Sequence, residues 1–426
     1  MLKRVLTVFG LLSIIILSAS LQAQESMHTI YLPIITQPMV EFRGLWVTRF
    51  DWTNYGTAAD PVKIDEIVQN ASRAGFNVIF FQVRGTADAF YQSDIEPWAQ
   101  RVSGVALGQS PDPLWDPLAY MIQQAHASGI QVHAYMNVYP VWSDCNNPPD
   151  PAATPTHFYY LLQAEHGQTA GKLNGLQWHD TEEVLCDVYQ RATPASGFGD
   201  AHYLAVAADL VTRYDVDGIH LDNIRYGASD ASDDPISAAN YDNAYSYAEW
   251  QRRQVNGVVR KFYEQIVPLK EGLWLSATVW PVYEKKPEWG WTEPYQEGYS
   301  TYYQDSKAWL ADGYIDSISP MIYPGGVINC PDDNIYWTQE RWGTLVEDFV
   351  GDENGRYIIP GIGAQYCTFD EIEARIILGR QAGAAGHALF SYDGLLIGDG
   401  SGDYFDDLAN GPYAIPATMP KITWHP

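Results

Sequence analysis

The sequence predicts an α/β protein built as a (β/α)8 TIM barrel with long βα loops. Three observations carry this. Short apolar runs of strand type alternate with amphipathic helical patterns through most of the chain. The helical patterns carry repeated start and stop signals. No G-x-G-x-x-G or G-x-x-x-x-G-K phosphate loop follows any strand, which leaves the open doubly wound sheet as the weaker alternative.

The strands are expected near 43–49, 77–84, 131–138, 218–225, 273–280, 317–323, 357–363 and 386–393, eight in all. The first helix opens on Asp60-Pro61, an N-cap followed by proline at the first helical position. It carries Ile64, Ile67, Val68 and Ala71 on one face and stops at Gly75. Asp116-Pro117 repeats the device, with Leu118, Ile122 and Ala125 inward and Gly129 as the stop. A third helix, near 200–214, turns Leu204, Ala207, Leu210 and Val211 inward, and others are expected near 244–267, 304–311, 336–349 and 369–383. The connections 85–110, 139–199 and 281–303 are long, and all three leave the face on which barrel enzymes work. The segment 139–199, with Pro148, Pro149, Pro151 and Pro155, reads as a lid or subdomain.

Lys3 and Arg4 precede an apolar run from Val5 to Leu17 and a small, polar stretch ending at Ala23, the pattern of a secretory signal peptide. The organisation expected is therefore a signal peptide over 1–23, a lead-in over 24–40, a barrel over 41–395 and a C-terminal tail over 396–426. It places the protein outside the cell or in the envelope, without integral membrane association after cleavage and without a lipid-anchor cysteine. Four cysteines with no C-x-x-C pair fit disulfides in an exported chain. The expected pairs, Cys145 with Cys186 and Cys330 with Cys367, join neighbouring loops. A net charge of −27 argues against nucleic acid and anionic membranes as partners. With 15 Trp and 29 Tyr, many between predicted elements, stacking surfaces for flat ligands with polar edges are expected.

The stretch Gly218-Ile-His-Leu-Asp222 alternates apolar and ionisable residues, so Ile219 and Leu221 share one face of a strand while His220 and Asp222 share the other. The same alternation points Gln82 and Arg84 inward from the second strand, His133, Tyr135 and Asn137 from the third, and Ser276, Thr278 and Trp280 from the fifth. A barrel filled for stability alone favours Val, Ile and Leu there, so these polar interiors mark a site around Asp222, with Arg225 in the following turn. No H-E-x-x-H helix or His-x-His strand supports a metal, no G-x-S-x-G marks a serine nucleophile, and no cofactor is expected. What remains is carboxylate chemistry flanked by aromatics, the equipment of a glycosidase.

The segments Glu41-Phe-Arg-Gly-Leu-Trp-Val47, Phe81-Gln-Val-Arg84 with Asp88-Ala-Phe-Tyr91, Ala125-His126 with Val132-His-Ala-Tyr-Met-Asn137, Tyr214-Asp-Val-Asp-Gly-Ile-His-Leu-Asp222, and Trp309-Leu310 leading to Ile315-Asp316 and Met321-Ile-Tyr323 stand in one order along the chain. On these the chain resembles the glycosyl-hydrolase-like 10 family of exported barrel proteins. The resemblance implies hydrolysis of O-glycosidic bonds and maps the family's strand-four carboxylate onto Asp222. Many relatives carry two consecutive acids there; this chain has Asp222-Asn223. Some relatives are associated with cell-wall glycan strands, which makes such a glycan a candidate substrate beside plant or storage polysaccharide.

The mechanism expected is a two-carboxylate one, with Asp222 as nucleophile or charge-stabilising carboxylate and Glu284 as proton donor, followed in order by Asp393, Asp88 and Glu293. Gln82, Arg84, Asp88, His133, Asn137, His220, Arg225, Trp280 and Tyr323 are the candidate substrate-binding residues, and Trp98, Trp142 and Trp291 further candidates for stacking on pyranose faces. The partner expected is a poly- or oligosaccharide. The alternative is a barrel that binds or scaffolds carbohydrate without cleaving it.

Overall fold

The computed structural model describes residues 38–180, 182–323, 338–397 and 403–425. Its centre is a nine-stranded, wholly parallel sheet. In chain order the strands are β1 (Phe42–Val47), β2 (Val78–Arg84), β3 (Gln131–Asn137), β4 (Gly218–Asp222), β5 (Trp274–Val279), β6 (Ser317–Pro320), β7 (Tyr357–Ile358), β8 (Gly361–Gly363) and β9 (Gly386–Phe390). They lie in the order β7-β6-β5-β4-β3-β2-β1-β9-β8. The expected seventh strand is thus two strands, because Pro360 has no N–H to give to a ladder. Its first half pairs with β6 and its second half with β9.

The sheet is curled. Trp46 on β1 donates its indole N–H to His220 Nε2 on β4 at 3.0 Å although β2 and β3 lie between them in the sheet. The concave side holds its own apolar cluster of Phe42, Trp46, Val78, Phe80, Tyr135, Trp274, Ile359 and Ala388. Gly44 is needed here, since a Cβ would stand 2.8 Å from the Phe42 ring and 3.0 Å from the Ala388 methyl group. The opposite faces of the strands pack Leu45, Ile79, Val132, Ile219, Leu275 and Ile318 against the helices.

Those helices start and stop where the residues dictate. α1 (Pro61–Ala74) is capped by Asp60, whose carboxylate accepts Val62 N–H, and ends on Gly75 at φ 89°. α2 (Pro117–Ala127) is capped by Asp116 in the same way. α3 (Gly197–Arg213), α4 (Tyr247–Gln265), α5 (Ser306–Ala311), α6 (Gln339–Val350) and α7 (Phe369–Ala382) follow, close to the ranges expected.

The long segment after β3 carries the helix Phe158–His166 and the strand Pro140–Trp142, which pairs antiparallel with Gln190–Arg191. The Cys145–Cys186 disulfide ties it, at a Cα–Cα distance of 5.8 Å. The second expected pair includes Cys330, which lies outside the described residues, as does the segment read as a signal peptide. Met39–Val40 pairs in parallel with Ala417–Thr418, so the end of the lead-in and the tail hold each other. Among the described residues no helix is long and apolar enough to cross a membrane.

Candidate active site

The C-terminal ends of the strands open into a cavity of about 440 Å³, within the range of small-molecule sites. Asp222, the last residue of β4, lies in its wall with 8% of its surface exposed. Four donors fix its carboxylate. Tyr135 of β3 donates its hydroxyl to Oδ2 at 2.8 Å, Asn223 donates Nδ2 to Oδ2 at 3.1 Å and its backbone N–H to Oδ1 at 2.6 Å, and Thr278 of β5 donates Oγ1 to Oδ1. Asn223 reaches this position with φ at 52°, a left-handed conformation that asparagine tolerates better than most residues. Burial, and then the charge of Asp222, hold the Tyr135 hydroxyl well above the ordinary tyrosine pKa, so it remains a donor.

Arg225 stands beside this carboxylate, with Nη1 at 3.8 Å from Asp222 Oδ1. Its guanidinium lies 5.4 Å from the Trp280 ring and 5.9 Å from that of Tyr302, and burial lowers its pKa from the usual arginine value. Asn137 of β3 lies opposite Asp222 in the strand register and accepts Asn223 Nδ2 at 3.3 Å. Gln82 accepts the Arg49 backbone N–H at 2.9 Å and so sets the chain that leaves β1. Tyr323 stacks on Phe390 at 5.1 Å. Asp222, Gln82, Asn137, Arg225 and Tyr323 are therefore brought together around one cavity.

The other expected residues are placed elsewhere. Arg84 does not face the cavity. The register between β2 and β3 shifts between Gln82 and Arg84, which breaks the alternation, and the guanidinium is spent on buried Glu96 at 2.8 to 3.0 Å. His220 sits beneath the cavity floor. Its Nε2 must accept the indole N–H of Trp46, so the neutral ring carries its proton on Nδ1, 2.7 Å from Ser276 Oγ. Burial pushes its pKa down to about 3. His133 lies among Phe42, Phe80 and Trp274, also near 3 through burial; both are core histidines. Asp88 accepts Thr86 N–H at 2.7 Å and anchors its own loop. Trp280 stands behind Arg225, against Tyr302 at 4.2 Å, and donates its N–H to Gln296 O. Glu284 is exposed and outside the lining, and Glu293 pairs with Arg341 at 3.4 Å. Trp98, Trp142 and Trp291 do not line the cavity either.

Two carboxyls do line it besides Asp222: Asp51 and Asp393. Asp393 follows β9, which β3, β2 and β1 separate from β4 in the sheet. Burial raises its pKa; Lys63 draws it back and Glu66 adds to the rise. Asp51 is raised to about 6, first by burial and then by the charge of Asp393, against hydrogen bonds from Thr48 and Asp393. Arg49, whose Nη2 donates to Tyr189 OH at 3.0 Å, brings a residue of the disulfide-tied segment to the rim. Alternation turns Tyr135 and Thr278 inward, whereas Arg49 and Asp51 lie in a short helix, Arg49–Trp52, and Tyr189 in the long loop, whose course no periodic pattern records. Among the described residues no cluster of three or more His, Cys, Asp or Glu is placed to hold a metal ion.

Comparison with known proteins gives a consistent picture. The family model described as glycosyl hydrolase-like 10 matches residues 41–164 and 198–344. Glycosyl hydrolase YngK of Bacillus subtilis (strain 168) is 25% identical over 410 residues, 90% of this chain and 74% of that protein. Glycosyl hydrolase DigH of Escherichia coli (strain K12) is 27% identical over 309 residues, 68% of this chain and 66% of its own length. Among solved structures, the PgaB (BpsB) glycoside hydrolase domain from Bordetella bronchiseptica superposes with a TM-score of 0.61 at 12% identity, covering 89% of this chain and 100% of that one. The catalytic domain of beta-amylase from Paenibacillus polymyxa gives 0.52 at 12%, over 87% and 97%. The two superpositions speak for the fold.

Proposed function

This chain belongs to the glycosyl hydrolase-like 10 family, and from that membership and the carboxyl-lined cavity we propose that it is a secreted glycoside hydrolase. It cleaves O-glycosidic bonds of a poly- or oligosaccharide by a two-carboxylate mechanism centred on Asp222. One observation carries the proposal: three carboxyls line one cavity, and their settings differ. Asp222 is bound by four donors, whereas Asp393 and Asp51 are pushed toward the protonated form. A carboxylate held by donors, facing carboxyls that favour the protonated form, is the division of roles a two-carboxylate glycosidase needs.

In this reading Asp222 supplies the negative charge at the anomeric carbon, as nucleophile or as stabiliser of the oxocarbenium-like state. Asp393 gives its proton to the departing oxygen, taking the part expected of Glu284, which is exposed and does not line the cavity. Arg225, Asn137, Gln82 and Tyr323 contact the sugar. The curled sheet acts as an eight-stave (β/α)8 barrel in which β7 and β8 are one stave on either side of Pro360; the bonds Ile359 N–H to Ile318 O and Ala388 N–H to Pro360 O, at 2.9 and 3.1 Å, support that closure. Export rests on the basic and apolar pattern of residues 3–23. Reducing-end release across a panel of polysaccharides that includes cell-wall glycan strands tests the activity and selects the substrate. Retention of a glycan on the protein with no release from any of the panel would favour the carbohydrate-binding alternative.

A further inference from the structure

The wall that faces Asp222 carries an acid that strand alternation does not pick out. Asp51 lies in the short helix Arg49–Trp52 and closes a capping box with Thr48. Its Oδ1 accepts the backbone N–H of Asp393 at 3.2 Å and the hydroxyl of Ser391 at 3.1 Å. Asp51 thus grips the proposed proton donor by that residue's own backbone, and both carboxyls open on the same cavity. The charged groups around them are Arg49 on Asp51's own helix, Lys63 and Glu66 on α1, which bridge each other at 2.8 Å, and, across the cavity, Asp222 and Arg225. Tyr392, next to Asp393, lies 3.2 Å from Glu66 Oε1. Lys63 is thereby shared, and no hydrogen-bonded cation sits on Asp51 among the described residues.

Neighbouring carboxyls in a poorly solvated wall do not both ionise readily; they titrate as a pair. We propose that Asp51 and Asp393 hold one proton between them, with Asp51 as the positioning residue that keeps it available to Asp393. The inference rests on the reading of Asp393 as donor. In the reaction that proton passes to the glycosidic oxygen as the C–O bond breaks, leaving both carboxylates charged. The water that adds to the anomeric carbon returns a proton to the pair, so each turnover restores it.

The test is pH-difference infrared spectroscopy of the carboxyl bands on the full chain, for the wild type, Asp51→Asn and Asp393→Asn. In Asp51→Asn the single amide oxygen can replace only one carboxylate oxygen, Oδ2 toward Thr48 N–H or Oδ1 toward Asp393 N–H, so folding of this variant is checked first by a thermal melt. The wild type is expected to lose a protonated carboxyl of this pair near pH 6, in addition to buried Asp234, whose titration near 6 both variants leave in place, and each variant to shift titration of the remaining acid down because the like charge is gone. An unchanged titration in Asp51→Asn overturns the proposal. Should that variant fail to fold, Ser391→Ala replaces it: losing a donor to Asp51 must raise the pair's titration, and no change overturns the proposal equally. Undiminished reducing-end release by Asp393→Asn would instead refute the donor assignment while the infrared shifts stood, so the two failures are distinguishable.

Discussion

Tyr135 on β3 donates its hydroxyl to Asp222 Oδ2 on β4 at 2.8 Å, from a register in which Tyr135 lies opposite His220. The carboxylate at the end of β4 is therefore steadied by the neighbouring strand rather than by its own loop alone. A hydrogen bond to a charged group contributes about 1.5–3 kcal/mol. Tyr135→Phe is therefore expected to lower kcat by roughly 10- to 100-fold with little change in KM, measured by initial rates on the glycan that the wild type cleaves.

The acid partner is tested by contrast. Asp393→Asn should reduce kcat by on the order of 10²–10⁴-fold, the usual contribution of a general acid, with the loss smallest on substrates whose leaving group needs no proton. Glu284→Gln, on the exposed loop, should leave kcat and KM within about twofold of the wild type, about 0.4 kcal/mol. A large loss from Glu284→Gln would return the proton donor to that loop.

Arg84 is expected to act on stability and not on turnover. It is fully buried, and its partner Glu96 is held at a pKa of about 2: burial alone would raise it, but the charge of Arg84 and the hydrogen bond from His202 outweigh that. Arg84→Met leaves the buried Glu96 charge with only His202, at 2.8 Å, as a partner, at a cost of about 3–5 kcal/mol. Urea denaturation should show that loss, while KM of the remaining folded protein stays at the wild-type value.

Acid should weaken the fold in two stages. His133 and His220 are neutral in the folded chain down to about pH 3, so the unfolded chain takes up protons first once pH falls below the ordinary histidine value of 6.5, and stability drops from there toward pH 3. Glu96 and Glu41 have depressed folded values of about 2, so their contribution, complete above 4.5, is lost as pH falls toward 2. Thermal melts should give a Tm that declines below pH 6.5 and more steeply below 4.5; a Tm constant from pH 6.5 to 3 would contradict this account.

These predictions mark what the sequence disclosed and what it withheld. Alternation places Asp222, Asn137 and Gln82 at the cavity because a strand's side chains keep their period as long as its register holds. Arg84 escapes that rule at the point where the β2–β3 register shifts. His133 and His220 do point to the concave side, yet too deep to meet a ligand, since period two gives a face and no depth. Which carboxyl joins Asp222 at the cavity is the least legible in the sequence: Glu284 and Asp393 both follow strands, and only the path of each turn decides which returns to the opening. Asn223, in place of a second acid, proves to be a donor to Asp222 through both its backbone and its side chain.

The central claim is that Asp222 takes part in bond cleavage rather than in holding the loop around it. It is tested most directly by comparing wild type and Asp222→Ala for both glycan binding and reducing-end release on the same polysaccharide. The expected result is release by the wild type, and a variant that binds the glycan and melts within a few degrees of the wild type but releases nothing measurable. Release by Asp222→Ala at the wild-type rate would contradict it.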